Sequence, residues 1–420
     1  MIPPGQVPPR AEADDAESLG VDRAREIILG RVEPVSGSER LPLRGALGRV
    51  LAGDVISAMD VPGHDNSAMD GYALHHAELA ADGETVLGIA GTAFAGRGFD
   101  GVVGARQCVR IMTGGVIPAG TDTVVAQEAV RVEGMHIVVP AGQRRGQHVR
   151  RAGEDLRAGA AALRAGKVIR PADLGLVASL GIAEVTVQRR LRVAIFSTGD
   201  ELCSVGAPLG RGEVYDSNRY TLHGMLTRLG CDLLDLGVVR DRPDAIEAAF
   251  RQAAENADAV VTSGGVSVGE ADFVRGLMAE LGEVAFWKIA MRPGRPMAFG
   301  RIGGAWLFGL PGNPVAVMVT FYQFVREALL KMMGVSPTEP LPRFRVPCVT
   351  PLKKRRGRSE FQRGVLFADD GGWKVRATGA QGSGILSSMA EANCFIVIEP
   401  DRGDIEAGQP VEVQPFEGLI

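Results

Sequence analysis

The spacing of apolar residues changes along the chain, and each change predicts a different architecture. Residues 21–31 are predicted as the first helix: Ile27, Ile28 and Leu29 give it an apolar patch, and Pro34 follows to stop it. From residue 61 to 149 the period shortens. Residues 85–89, 108–112, 123–127 and 136–139 are short alternating or apolar runs between turn residues, with no long helix among them. This mostly β stretch, residues 59–150, reads as an insertion between two pieces of another unit, 17–58 and 151–188. The second piece carries a helix near residues 171–180, with Pro171 suited to its first turn.

At residue 191 strands and helices begin to alternate. LRVAIFS (191–197) has the texture of a buried strand. A helix is predicted over 217–229, a strand over 233–238, a helix over 243–256, a strand over 259–262 and a helix over 271–281. The alternation predicts an α/β domain, residues 189–337, with a parallel sheet covered by helices on both faces. Two more strands, 298–301 and 305–309, lead into LPGNP. The last helix is expected over 315–333, with Asn313 as N-cap, Pro314 at its first position and Gly334 beyond its end. Pro337, Pro340 and Pro342 mark a linker. Strand runs at 345–349, 364–367, 373–378, 394–398 and 411–414 then predict a small β-barrel or sandwich, residues 338–420. The fold class is multi-domain α/β and β. Residues 1–16, Pro-rich and acidic, read as a loose tail without the basic-then-apolar order of a signal peptide.

Composition narrows the function classes. At roughly 150 residues per domain, 420 residues suggest two to four domains. Hydrophobic residues at 45% exclude a disordered chain, and aromatics at 5% make the core aliphatic. Forty-six Lys and Arg against 50 Asp and Glu leave a net charge of -4, so no long-range field draws nucleic acid or an anionic membrane. Five scattered cysteines without a CxxC pair argue against a disulfide framework or structural zinc, and point to a reducing cytoplasm. No apolar run reaches the ~18–20 residues that span a bilayer.

Candidate chemistry concentrates in three glycine loops that leave apolar strands. FSTGDEL carries Ser197, Thr198 and Gly199; SGGVSVGEAD carries Ser263, Gly264 and Gly265; LPGNP carries Pro311, Gly312 and Asn313. Ligands of open α/β sheets bind at such strand ends, where glycines let backbone N–H groups approach an anion. One loop alone would be a plain turn; three in one domain point to an anion site. Asp200, Glu201, Asp216, Asp241 and Asp272 lie at or just after the strand ends, which suits Mg²⁺ with a phosphate ligand. Helix capping is the competing role for Asp216 and Asp241. Lys288, Arg292 and Arg295 sit close together in FWKIAMRPGRP, where a Pro-Gly turn can converge two guanidinium forks on one oxyanion. KKRRGR (353–358) reads as a solvated loop. GHDNSAMDGYAL, with Asp65, Asn66, Ser67 and Asp70, is either a turn cluster or a ligand loop, and Thr113 in RIMTGG is equally open. There is no GxxxxGK[ST], no GxGxxG after a strand, no HExxH and no GxSxG, so the corresponding enzyme classes lose support.

The motifs VPGHDNSAMDGYA, RIMTGG, RRAGED, SLGIAEV, FSTGDEL, SGGVSVGEADF, FWKIAMRPGRP, LPGNPVA, FQRG and NCFIV run in one order from Val61 to Val397. In these the sequence resembles the molybdopterin molybdenumtransferase family, called MoeA in bacteria and related to the E domain of gephyrin. The resemblance implies four domains, an elongated N-terminal unit and a homodimer with a shared active site. It implies that adenylylated molybdopterin and molybdate are the substrates, Mg²⁺ the cofactor, and molybdenum cofactor and AMP the products. A molybdopterin adenylyltransferase would supply the pterin.

Residue by residue, the family's functional acids fall on Asp70, Asp155, Glu201, Asp241 and Asp272, its threonine on Thr113 and its lysine on Lys288. The resemblance gives Glu201, Asp241 and Asp272 to the Mg²⁺–pyrophosphate region and Lys288 to the pterin–phosphate ligand. It maps the molybdate pocket to Arg292, Arg295, Arg363 and Ser383, with Arg at two positions where many members carry Lys. Asp70 and Thr113 are expected to reach the α/β domain of the other subunit. Two competing readings are an adenylyltransferase, which lacks the β insertion and the C-terminal barrel, and a non-catalytic scaffold.

Overall fold

The computed structural model describes residues 18–264 and 280–416. The predicted helix 271–281 lies almost wholly outside them. The α/β unit is a six-stranded sheet in the order Asp232–Val239, Arg192–Thr198, Ala259–Ser263, Ala305–Leu310, Pro296–Ile302, Gly282–Lys288. The first four strands are parallel, Pro296–Ile302 runs antiparallel to them, and Gly282–Lys288 pairs antiparallel with it at the edge. The expected parallel sheet is present, extended by an antiparallel edge. Gly282–Lys288 is not among the strands predicted above; it pairs in full register with its neighbour.

Side-chain alternation explains why both faces are covered. Val193 and Ile195 point to a core shared with the helix Ser217–Leu229 and the long C-terminal helical run. Ala194 and Phe196 point the other way, against Ile246, Ala249, Phe250 and Ala253 of the helix Pro243–Asn256. Phe196 and Phe250 meet edge-on at 5.1 Å, each buried and each contributing about 1.5–3 kcal/mol by burial. The last helix is not uniform. Pro314–Thr320 passes into a π-helical turn, Phe321–Val325, before Arg326–Met332, and Gly334 follows with φ +84°.

In the N-terminal part, the helix Val21–Arg31 forms as predicted. Ser38–Pro42 pairs with Glu184–Gln188, and Val55–Ile56 with Ala161–Leu163, so the chain on both sides of the β insertion meets itself. The insertion is a six-stranded sheet ordered Thr123–Ala126, Gly71–Leu74, Gln107–Ile111, Thr85–Ala93, His136–Val139, Arg131–Glu133. Gly71–Leu74, paired on both sides in this sheet, belongs to the stretch whose sequence left a turn cluster or a ligand loop open. A Cβ at Gly71 would stand 2.2 Å from the Val125 carbonyl oxygen, so the close strand approach needs glycine there.

The C-terminal sheet is ordered Met291–Arg292, Ser359–Asp369, Cys394–Ile398, Pro410–Pro415, Phe344–Pro347, with Gly372–Ala377 paired to Ser359–Asp369. The bridge between Cys348 and Val375 joins its two ends. Met291–Arg292 comes from the α/β unit, so this pairing fixes the basic segment against the strand that contains FQRG. Among the described residues no helix is long and apolar enough to cross a membrane.

Candidate functional site

The glycine loops converge at the carboxyl ends of the parallel strands. Gly264 has φ +92°, and a Cβ on it would lie 2.4 Å from the Thr198 carbonyl oxygen. Gly312 stands against Gly264, where its own Cβ would be 3.9 Å from the Gly264 Cα. A Cβ on Gly199 would collide with the Glu201 carboxylate at 2.6 Å, so Glu201 is folded back over the loop backbone. Ser197 donates to Asp216 at 3.0 Å. Asn218 Nδ2 donates to Ser263 Oγ and to the Gly312 carbonyl, both at 2.7 Å, and ties two loops together. Ser263 Oγ also reaches the Pro311 carbonyl at 3.4 Å. Asn313 caps the helix Pro314–Thr320 by position, without a side-chain hydrogen bond. Gly265 and Asp272 lie outside the described residues.

Two buried polar atoms in this cluster, Thr198 Oγ1 and Asn218 Oδ1, have no hydrogen-bond partner among the described residues. Orphans of this kind cost stability unless a ligand or solvent meets them. Asn218 was not foreseen: in the sequence it is simply a first-turn residue of a helix, and only the fold places it between two loops.

The acids separate into two roles. Asp216 is 1% exposed and caps the helix Ser217–Leu229, accepting from the Arg219 N–H at 3.2 Å and from Arg219 Nε at 3.1 Å. Asp241 is not a cap, because Arg242 holds that position before Pro243. Its N–H instead donates to Asp200 Oδ1 at 3.2 Å, which brings the loop after Gly199 to the loop after Val239. Among the described residues no three acids, cysteines or histidines gather as a metal set. Glu201 and Asp241 offer the hard carboxylate oxygens that Mg²⁺ takes, in the small number it uses alongside substrate phosphates. The donor chemistry therefore fits that ion.

The basic segment lies at the same end of the sheet. Lys288 ends its strand opposite Pro296, and its carbonyl accepts from the Leu19 N–H at 2.8 Å. Arg292 and Arg363 line one cavity of about 210 Å³ with Glu360, Gln362 and Gln381. Arg363 is 1% exposed. Its guanidinium donates to Ser388 Oγ at 3.0 Å and to the carbonyls of Gly382 at 3.0 Å and Ala380 at 3.2 Å; none of these partners is a carboxylate. Burial, with the Arg292 charge second, pulls its pKa down to about 10. Arg295 is turned elsewhere, reaching Ser18 Oγ at 3.4 Å. Ser383 meets the LPGNP helix, its carbonyl accepting from the Val315 N–H at 3.1 Å.

KKRRGR is not simply a solvated loop. Lys354 is 6% exposed, and its ammonium donates to the carbonyls of Arg355, Pro400 and Arg402. Burial lowers its pKa. A run of five basic residues around one glycine hides this, because the three carbonyls come from two separate turns.

On the β insertion, Asp70 Oδ1 accepts from both the Thr113 N–H and the Thr113 hydroxyl at 2.7 Å. The backbone bond first, then the hydroxyl, hold this carboxyl below its ordinary range. Asp65 is structural: it accepts from the Ala152 N–H at 2.8 Å and from Arg151 at 2.5 Å, which joins GHDNS to RRAGED. Ser67 is buried, with its hydroxyl on the Met69 carbonyl. Asp155 is exposed, its N–H on the Val61 carbonyl at 3.0 Å.

Three family descriptions match in chain order: "MoeA N-terminal region (domain I and II)" over residues 19–181, "Probable molybdopterin binding domain" over 194–331 and "MoeA C-terminal region (domain IV)" over 345–416. The molybdopterin molybdenumtransferase of Haemophilus influenzae is 44% identical over 404 residues, 96% of this chain and all of that one. That of a Nostoc strain is 34% identical over 394 residues, 92% of this chain and 90% of its own. The crystal structure of a molybdopterin biosynthesis moeA protein from Pyrococcus horikoshii OT3 superposes with a TM-score of 0.82 at 28% identity, covering 95% of this chain and 100% of that one. Motifs, length and fold agree, and the chain belongs to the MoeA family of molybdopterin molybdenumtransferases.

Proposed function

We propose that this transferase inserts molybdenum from molybdate into adenylylated molybdopterin and releases AMP in a Mg²⁺-dependent reaction. The observation that carries the reading is Arg363, a buried cation with no carboxylate partner among the described residues, in the lining of a cavity that Arg292 also lines. Desolvated guanidinium forks bind tetrahedral oxyanions well. Arg295 and Ser383 are assigned to the same pocket by family correspondence, and Lys288 to the pterin–phosphate ligand.

The glycine loops are assigned to the phosphates. Thr198 and Asn218 offer them buried polar atoms, and Gly199, Gly264 and Gly312 keep side chains out of the way. Glu201, Asp241 and Asp272 would hold Mg²⁺, which neutralises charge on the phosphoanhydride. Holding molybdate beside the dithiolene is a proximity effect, so no covalent nucleophile is needed. Each dithiolene sulfur would displace an oxygen of molybdate, which leaves as water with the thiol protons, and one water would add to the anhydride, so that AMP departs and the phosphate stays on the pterin.

We assign Asp70, Thr113 and Asp155 to a site completed by a second copy of the chain. Asp70 and Thr113 are bound to each other on the β insertion, whose hydrophobic clusters contain no residue of the α/β sheet. An open groove of about 470 Å³, lined by Met225, Met318, Phe321, Tyr322, Leu341 and Phe416, supports a homodimer. The domain limits given above, cytoplasmic residence and a molybdopterin adenylyltransferase as donor complete the proposal.

The test is AMP release from adenylylated molybdopterin with Mg²⁺ and either molybdate or tungstate. Release that depends on the oxyanion is expected, and the faster oxyanion identifies the metal. Tight pterin binding without release under either one would overturn the proposal. Arg363→Ala is expected to weaken molybdate use more than pterin binding, and equal losses would remove Arg363 from the pocket.

A further inference from the structure

The amide of Asn218 has one end tied and one end open. Its Nδ2 donates to the Gly312 carbonyl, which can only accept, so the orientation of the amide is fixed and Oδ1 is the open end. Oδ1 is buried and has no hydrogen-bond partner among the described residues, on a residue 8% exposed. An amide oxygen accepts and never donates. The oxygens of an ionised phosphoanhydride also only accept, so a phosphate cannot meet it. Of the two orphaned atoms in the cluster, the Thr198 hydroxyl alone can donate to a phosphate. Nor does Asn218 stand with the carboxylates assigned to Mg²⁺. Glu201 and Asp241 follow Arg192–Thr198 and Asp232–Val239 at one side of the sheet, whereas Asn218 is tied to Ser263 and Gly312, at the ends of the next two strands.

We propose that Asn218 binds the ribose of the adenylyl group: Oδ1 accepts a hydrogen bond from one of its free hydroxyls while the glycine loops hold the neighbouring phosphate. The inference rests on the reading that these loops take the phosphates of adenylylated molybdopterin. A ribose hydroxyl lies a few bonds from that phosphorus. It turns about its C–O bond to aim its proton at a fixed acceptor, which the N–H of a pterin ring cannot do. A buried acceptor left without a donor is costly, so a ligand that lacks the hydroxyl is rejected more strongly than a lost contact in water would be. Asn218 thereby favours the adenylylated pterin over its unadenylylated precursor, by a contact to the part that leaves as AMP.

The test is calorimetric titration of AMP, 2′-deoxy-AMP and 3′-deoxy-AMP into the full chain with Mg²⁺. The wild type is expected to bind AMP about tenfold or more tighter than one of the deoxy ligands, and that ligand identifies the hydroxyl. In Asn218→Ala the acceptor is gone, so AMP affinity should fall and the preference should shrink to about twofold or less. Loops that were only loosened would lose all three ligands alike and keep the preference, so a preference retained in Asn218→Ala overturns the inference. Equal wild-type affinities for the three ligands overturn it without recourse to a variant and give Oδ1 to a pterin N–H or to solvent, while the phosphate reading stands. No binding of AMP by the wild type removes the phosphate reading itself and the inference with it.

Discussion

At the scale of single residues, hydrogen bonding holds carboxylates charged and burial decides which thiols react. Asp70 is lowered mainly by the Thr113 N–H and next by its hydroxyl. Donors to the charged form favour it, so Thr113→Ala should move the Asp70 pKa part of the way back up, the backbone bond remaining. An NMR titration of the Asp70 carboxyl carbon measures this. An unchanged midpoint would show that the hydroxyl does not donate. The sign for stability follows: a carboxyl lowered by folding stabilises above its unfolded value, and the contribution is lost as pH falls through the folded one. Among the thiols, burial pushes Cys108, Cys231 and Cys394 up to about 12, and Cys348 is fully buried. Cys203 alone is half-buried. Iodoacetamide should therefore label Cys203 first in the native protein and all five cysteines after unfolding. Early labelling at a second position, read by peptide mass, would contradict this burial pattern.

At the scale of elements, the legible parts are those whose signal is local. LRVAIFS and AVVT are continuous apolar runs, and the strands Arg192–Thr198 and Ala259–Ser263 follow them closely. Asp216, Pro243 and Gly334 mark helix ends that the structure uses. The parts that escaped depend on distant partners. Gly282–Lys288 is a strand because Pro296–Ile302 returns beside it, and Lys354 is buried because turns some fifty residues away supply carbonyls. The π turn at Phe321–Val325 interrupts a helix with no breaker residue inside it. In the site, the glycine loops and their acids could be read from the sequence, but the pairing of Asn218 with Ser263 and Gly312 could not. That pairing gives a prediction at this scale. Asn218→Ala removes both bonds and leaves the buried Ser263 Oγ without its donor, at a cost of about 1–3 kcal/mol. Urea denaturation should show the loss, and pterin affinity should fall with it because two loops lose their common tie. Full stability with full affinity would mean that the loops hold each other without it.

At the scale of the whole molecule, the proposed site is divided. Glu201, Asp241 and the glycine loops belong to the α/β sheet, while the Asp70–Thr113 pair sits on a separate sheet whose hydrophobic clusters contain no residue of the α/β sheet. If the missing half comes from a second copy, the division can be measured by mixing. Asp70→Ala and Asp241→Ala homodimers should each be inactive, since every site in them lacks one acid. Unfolded together and refolded, random pairing makes about half of the dimers mixed. Each mixed dimer has one site with both acids intact and one with neither, so activity should recover to about a quarter of the wild-type value. Sedimentation and mass analysis confirm that mixed dimers formed. Recovery near that level establishes an active site built across the interface. Mixed dimers with no activity would place Asp70 in the same subunit as its site, and the open groove beside Tyr322 and Phe416 would then need another explanation.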